Sequence, residues 1–379
     1  MIPLSVPNIE GNEWQYVKDC LDTGWVSSVG AYVNKFEKSI CDFTGAKFAI
    51  ATSNGTAALH IALQLAGVKS GDLVICPNIT FVASANAIKY CGAEPLLVDV
   101  NADTWQLDTV LLNEYLSKNT KQVNGQCILS ESDKKISCIM PVHILGNMCY
   151  MDDIQKIATK FNLPVVEDST EALGSFQKEK HSGTFGLFGT LSFNGNKILT
   201  TGGGGMILTN DEELAQKAKH LTTQAKADTA EYYHDEVGYN YRLVNILAAV
   251  GVAQMELLSK FLEKKEQISA VYKRELKDIP GVIFQSITAD TKPNNWLFTI
   301  QVNQKKELIE YLKVHQIEAR PFWVPMNKLP MYNQCIYWSK DNKSENIYES
   351  CISIPCSSNL SLEDQLTVIS TIKRFYEES

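Results

Sequence analysis

Three short segments of the chain carry side chains suited to covalent and anion chemistry. Lys197 stands in LSFNGNKILTTGGGGMILTN, after a strand-like run and a tight NGN turn and just ahead of four consecutive glycines, Gly202 to Gly205. A lysine held near a low-dielectric pocket loses its proton readily and serves as a Schiff-base amine. The glycines admit unusual φ angles and close approach of backbone or ligand. Asp168 ends the run LPVVEDST, where no arginine is near in sequence. A buried carboxylate there needs a partner, and a protonated heteroaromatic nitrogen is one. The loop in ATSNGTAALH opens directly into a helix, so free N–H groups with the hydroxyls of Thr52, Ser53 and Thr56 make an anion site. Each segment alone has a plainer reading: a solvated lysine beside a hairpin, Asp168 or Glu167 capping the next helix, and ordinary Ser/Thr/Asn capping.

Arginine occurs only at Arg242, Arg274, Arg320 and Arg374, so no bidentate guanidinium clamp is available in the first 241 positions. An anion bound in that stretch must be held by backbone N–H groups, hydroxyls or lysine. Lysine, acid and arginine-free cradle together match one cofactor, pyridoxal phosphate, which needs an amine for its aldehyde, an acid for its ring nitrogen and a seat for its phosphate.

The elements that must position these residues follow from periodicity. The apolar runs KFAIATS, DLVICPN, EPLLVDV, SCIMPVHI, LPVVED, GTLSFN and GGMILTN are rich in Val, Ile and Leu without strict alternation, as buried parallel strands are. TAALHIALQLAG and TFVASANAIKYCG between them read as helices ending at Gly. The fold class is α/β, a large domain with a mostly parallel seven-stranded sheet plus a smaller C-terminal α/β domain, and ligands bind beyond the carboxyl ends of such strands. From Asn245 a longer helix places Ile246, Leu247, Val250, Leu257, Leu258 and Phe261 on one face. The domains divide as 1–245, with an N-terminal arm, and 246–379. In the second, VIFQS, WLFTIQV, IEARPFW and CISIPC read as strands, and Ser361 caps a terminal helix. Residues 117–137 are polar and weakly periodic, a surface excursion.

Composition narrows the partners. The 379 residues are 45% hydrophobic and 21% charged with net charge −8, which argues against nucleic acid or an anionic membrane as partner. Ten cysteines are scattered singly without CxxC or Cys/His ligand spacing, so reduced thiols and no metal are expected. The first residues lack a basic and apolar leader pattern, and no run approaches the roughly 18 apolar residues of a spanning helix. The expectation is a cytoplasmic protein.

The sequence also resembles a family, the pyridoxal-phosphate sugar aminotransferases of the DegT/StrS type. GWVSSVGAYVNKFE, TSNGTAALHIAL, PNITFVASANAI, GAEPLLVDV, MPVHILGN, VVEDSTEALGS, SFNGNKILTTGGGGMI, GYNYRLVNILAAVGVAQME and ARPFWVPM are similar to that family's motifs in its order. The resemblance implies a fold-type I aminotransferase, a homodimer with active sites at the subunit boundary. It implies that Lys197 forms the Schiff base and shuttles the proton, and that Asp168 holds the ring nitrogen protonated. Thr56, Ala57 and Ser192 would hold the phosphate, with Asn240 reaching it from the neighbouring subunit, and Phe81 would stack on the ring. Glu171 stands where many members have Gln or His. His143 in PVHILG is singled out by its motif, with a satisfied structural histidine as the plainer reading. Trp25 to Ser28 and Arg320 are candidates for sugar or diphosphate contact. The implied reaction moves an amino group from L-glutamate, through pyridoxamine phosphate, to a nucleotide-linked 4-keto-6-deoxyhexose for surface-polysaccharide or nonulosonic-acid biosynthesis, in the manner of legionaminic-type pathways. A sugar dehydratase of the same fold, which has His at the lysine position, and a non-catalytic regulator are the rivals.

Overall fold

The computed structural model describes residues 1–228 and 230–378. All seven expected runs are strands, but they divide into two hydrogen-bonded sheets instead of one. The first has the order Phe48–Thr52, Gly205–Thr209, Phe188–Ser192, Val166–Asp168. The second contains Glu94–Val98, Leu73–Pro77 and Lys135–Ile139, paired in parallel. Two single bridges, Ile139 to Val165 and Val142 to Asp168, join the sheets. Prolines explain the lapse, since Pro141 and Pro164 lie along this seam and can only accept: Asp168 N donates to Pro141 O at 2.9 Å and Ile139 N to Pro164 O at 3.0 Å.

The strands keep one direction apart from Gly205–Thr209, which runs antiparallel to both its neighbours. Thr52, Pro77, Asp168 and Ser192 therefore finish at the same sheet edge. The helix Gly55–Leu65, apolar on nearly every side, lies in the core against this sheet. Its start is brought close by Gly205, where a Cβ would stand 2.4 Å from Asn54 O and 2.7 Å from Gly55 N.

Three features differ from the sequence expectation. The stretch 117–137 holds a hairpin, Thr120–Val123 and Gln126–Leu129, which extends the second sheet antiparallel from Lys135–Ile139. Its outer strand is exposed, so the polar composition marks a sheet edge where a loop was expected. Tyr337–Trp338, from the C-terminal third, adds to the same sheet beside Glu94–Val98. The helix Asn245–Leu276 is long and apolar enough to cross a membrane by length and composition. Its apolar residues are instead core: Ala248, Ala249, Leu258 and Phe261 are buried with Phe36 and Ile40 of the helix Ala31–Thr44.

A smaller antiparallel sheet, Ile283–Phe284, Phe298–Gln301, Cys351–Ile354 and Arg320–Pro321, packs with the helices Lys305–Val314 and Leu362–Glu378. Ser361 caps the latter, its Oγ accepting from Asp364 N at 3.0 Å. The N-terminal residues lie along this sheet, with Ile2 bridged to Ile317 and Leu4 O accepting from Cys356 N at 2.8 Å.

The Gly205 contact gives a test. Gly205→Ala has no space for its methyl group beside the Asn54 carbonyl, and overpacking of this kind costs about 1–3 kcal/mol. Urea denaturation is expected to show that loss; an unchanged midpoint would mean that the helix start is not pressed against the strand.

Candidate active site

Adjacent residues of a strand point to opposite faces, and Glu167 and Asp168 use this to serve separate sites. Asp168 is buried, and neither carboxylate caps a helix. Its Oδ2 accepts from Ser84 Oγ at 2.6 Å, and its Oδ1 from Thr170 Oγ1 at 2.7 Å and Thr170 N at 3.2 Å. Glu167 faces away. It accepts from the backbone N–H groups of Gly183, Phe185 and Gly186 and approaches His143 Nε2 at 3.0 Å.

His143 is fully buried, and its Nδ1 accepts from Cys149 N at 3.1 Å. With Nδ1 occupied as an acceptor, the ring is the Nε2–H tautomer donating to Glu167. Both nitrogens are committed, so the structure corrects the assignment of His143 to substrate contact: it braces the strand that carries Asp168.

Lys197 lies in the turn after the strand Phe188–Ser192, its N–H donating to Asn194 O at 3.0 Å. Among the described residues its Nζ has no hydrogen-bond or ion-pair partner, and it stands 3.6 Å from the centroid of the Trp296 ring. Burial pushes the lysine pKa down, and the nearby Glu171 and Asp168 pull it partly back. Glu171 is itself buried, accepts from Leu145 N at 2.8 Å, and is pushed up to about 7 by burial, against the opposing pull of Lys197. Leu145, which supplies that N–H, has φ +61°, a left-handed conformation uncommon for leucine.

A cavity of about 550 Å³ is lined by Lys197 together with, among others, Thr56, Phe81, Ser192, Trp296 and Arg320, while Asp168, Glu171 and Ala57 are not in its lining. The hydroxyls of Thr56 and Ser192 have no hydrogen-bond partner among the described residues. Ser192 lies close to the helix start, since a Cβ on Gly55 would come within 2.9 Å of its Cβ. Thr52 Oγ1 donates its hydrogen to Asn54 O at 3.0 Å, whereas Ser53 Oγ accepts from Asn54 Nδ2 at 3.4 Å and keeps its own O–H to donate. Ala57 is buried, with its N–H on the Asn54 cap at 2.7 Å. Arg320 is at the rim, its Nε 2.9 Å and its Nη2 2.6 Å from Glu318 Oε1. Arg242 is buried on Glu37 and the Ala51 carbonyl, a structural pairing away from this rim.

Trp25, Ser28 and Asn240 do not line this cavity. Trp25 is 57% exposed, its carbonyl held by Asn245 Nδ2 at 2.7 Å, and Asn240 is exposed in a bridge to Thr223. Trp296 and Trp323, which wall the cavity, went unread in the sequence; Trp296 appears there only as the first residue of a strand-like run.

The residues present fit pyridoxal phosphate. A half-buried lysine whose amine has no hydrogen-bond or ion-pair partner among the described residues, a held carboxylate at a strand end, the Thr56 and Ser192 hydroxyls and the first turn of a helix are the donor set that the group requires.

The raised Glu171 pKa makes stability depend on pH. Between its ordinary 4.5 and about 7, the unfolded chain has released this proton while the folded chain keeps it, so native stability falls as pH rises through that window. In cofactor-free protein, the stability of the wild type relative to Glu171→Gln is expected to decline across it by up to about 1.4 kcal/mol per pH unit. A difference that is flat with pH would contradict the raised value.

The comparisons with known proteins agree with this geometry. A model of the DegT/DnrJ/EryC1/StrS aminotransferase family matches residues 7–373. The chain is 37% identical to a GDP-perosamine synthase of Escherichia coli O157:H7 over 100% of this chain and 99% of that protein. It is 40% identical to a GDP-perosamine synthase of Caulobacter vibrioides over 87% of this chain and 86% of that one. The structure of Helicobacter pylori PseC, an aminotransferase involved in the biosynthesis of pseudoaminic acid, superposes with a TM-score of 0.89 at 26% identity, covering 100% of both chains. The chain belongs to the DegT/DnrJ/EryC1/StrS aminotransferase family and is a pyridoxal-phosphate-dependent transaminase.

Proposed function

We propose that this transaminase moves an amino group from L-glutamate to a nucleotide-linked 4-keto-6-deoxyhexose, with or without a 2-acetamido group, in the cytoplasm, for surface-polysaccharide or nonulosonic-acid biosynthesis. The observation that carries the reading is the uncommitted Lys197 amine, in one cavity with the Thr56 and Ser192 hydroxyls and with exposed Arg320. The same lysine weighs against the dehydratase alternative.

When bound, the cofactor supplies an electrophilic carbon and an electron sink. The chain's own residues do the rest. Asp168, held by Ser84 and Thr170, is the carboxylate for the ring nitrogen. Thr56, Ser192 and the first-turn N–H groups of Gly55 and Thr56 would hold the phosphate, the Ala57 N–H being spent on the Asn54 cap, and Phe81 would stack on the ring. Lys197 Nζ, kept basic enough to take a proton and buried enough to give it up, removes the proton from the donor's α-carbon and later delivers one to the sugar carbon. Arg320 at the mouth suits the diphosphate.

A second copy of the chain completes the site in this reading. Trp14, Trp25, Val29 and Val237 are 81%, 57%, 68% and 81% exposed, apolar surface that a homodimer would cover. Asn240 and the loop 25–28 would then serve the partner's cavity.

Steady-state kinetics with glutamate and a panel of GDP-, UDP- and dTDP-linked 4-keto-6-deoxy sugars test the reaction. Parallel double-reciprocal lines are expected for at least one acceptor; intersecting lines, or no amine transfer across the panel, would overturn the assignment. Sharing of sites has its own test. Lys197→Ala and Asn240→Ala are each expected to abolish or strongly reduce turnover, and mixing them should restore activity through mixed dimers with one intact site. No recovery on mixing would mean that Asn240 does not act across the interface.

A further inference from the structure

The Trp296 side chain touches the lysine-bearing turn twice. Its Nε1–H donates to the carbonyl of Asn196, the residue before Lys197, at 2.7 Å, and its ring face receives Lys197 Nζ at 3.6 Å from the centroid. The indole is itself fixed. It is 4% exposed, its backbone N–H donates to Asn294 Oδ1 at 2.9 Å, and Trp323 lies nearly parallel to it with centroids 6.4 Å apart. Asn294 in turn donates through Nδ2 to the carbonyls of Glu171 and Leu173, at 2.8 and 2.9 Å, so the ring is referenced to the segment that carries Glu171.

A buried ammonium has to be stabilised by something, and the face of an indole attracts a cation most strongly where water is excluded. No carboxylate lies within ion-pair distance of Lys197 Nζ among the described residues, which leaves the ring as its nearest stabilising surface.

We propose that Trp296 is a positioning residue whose indole face seats Lys197 as the ammonium, the form in which the lysine carries the transferred proton. In that step the substrate C–H bond breaks, its electron pair remains with the substrate and the bound cofactor, and the proton forms a new N–H bond on Nζ. The ammonium rests on the ring until the proton is returned to carbon. The proposal rests on the transaminase assignment but is tested without turnover, so the two can fail separately.

The test uses cofactor-free protein. Competitive acetylation with trace acetic anhydride across pH, followed by peptide mass spectrometry, reads the protonation midpoint of the Lys197 amine, with exposed Lys18 as the internal reference. Trp296→Leu is expected to lower the midpoint by about half a unit to one unit, and Trp296→Phe, which keeps an aromatic face, to recover at least half of that shift. Should the leucine variant not fold, wild-type protein made with mono-, di- and trifluorotryptophan keeps the shape and weakens the ring's attraction for cations. There the midpoint is expected to fall stepwise with fluorine number. An unchanged or raised midpoint in Trp296→Leu, or a flat fluorotryptophan series, would overturn the proposal.

Discussion

The structure depends on keeping one amine in a cavity without pairing it with a carboxylate. Lys197 Nζ has neither a carboxylate nor a carbonyl within bonding distance among the described residues, and burial lowers its pKa. A fully paired lysine would be a stable ion and a poor nucleophile; a fully isolated one could not hold a proton. Between these limits stand Glu171 and Asp168, which favour the ammonium at a distance, and the Trp296 face, which receives it. Removing an ion from water costs several kcal/mol, so this arrangement needs a rigid surround, and most of the neighbouring hydrogen bonds supply that rigidity.

The surround is built from the common edge of the parallel strands. Asp168 and Ser192 end two of them, the helix that follows Thr52 supplies Thr56, and the loop after Pro77 supplies Phe81. Behind this edge Glu167 gathers three backbone N–H groups and His143, so the strand bearing Asp168 is tied down on its far face as well. Trp296 and Trp323, just outside strands of the smaller sheet, line the cavity as well.

The sequence was most legible where local chemistry and fold rule coincide. All seven strands could be placed from their Val/Ile/Leu runs, and Lys197, Asp168 and the helix start fall at strand ends, where α/β ligands bind. The scarcity of arginine left hydroxyls and backbone N–H groups as the expected anion seat; Thr56 and Ser192 line the cavity, and Arg242 is paired with Glu37. What was not legible depends on contacts distant in sequence. The break between the two sheets lies where Pro141 and Pro164, one on each side of the seam, can only accept, from Asp168 N and Ile139 N. The commitment of His143 follows from Glu167 and Cys149 converging on it. Trp296 lies 99 positions beyond Lys197, and no periodic pattern connects them. The hairpin within 117–137 was hidden for another reason, because an edge strand facing water has the composition of a loop.

The most direct test of the central claim is chemical. Pyridoxal phosphate added to the purified protein should give a visible absorption band that borohydride abolishes, with the reduced adduct mapping by peptide mass spectrometry to Lys197 alone. No band, or an adduct on another lysine while Lys197 remains unmodified, would contradict the account.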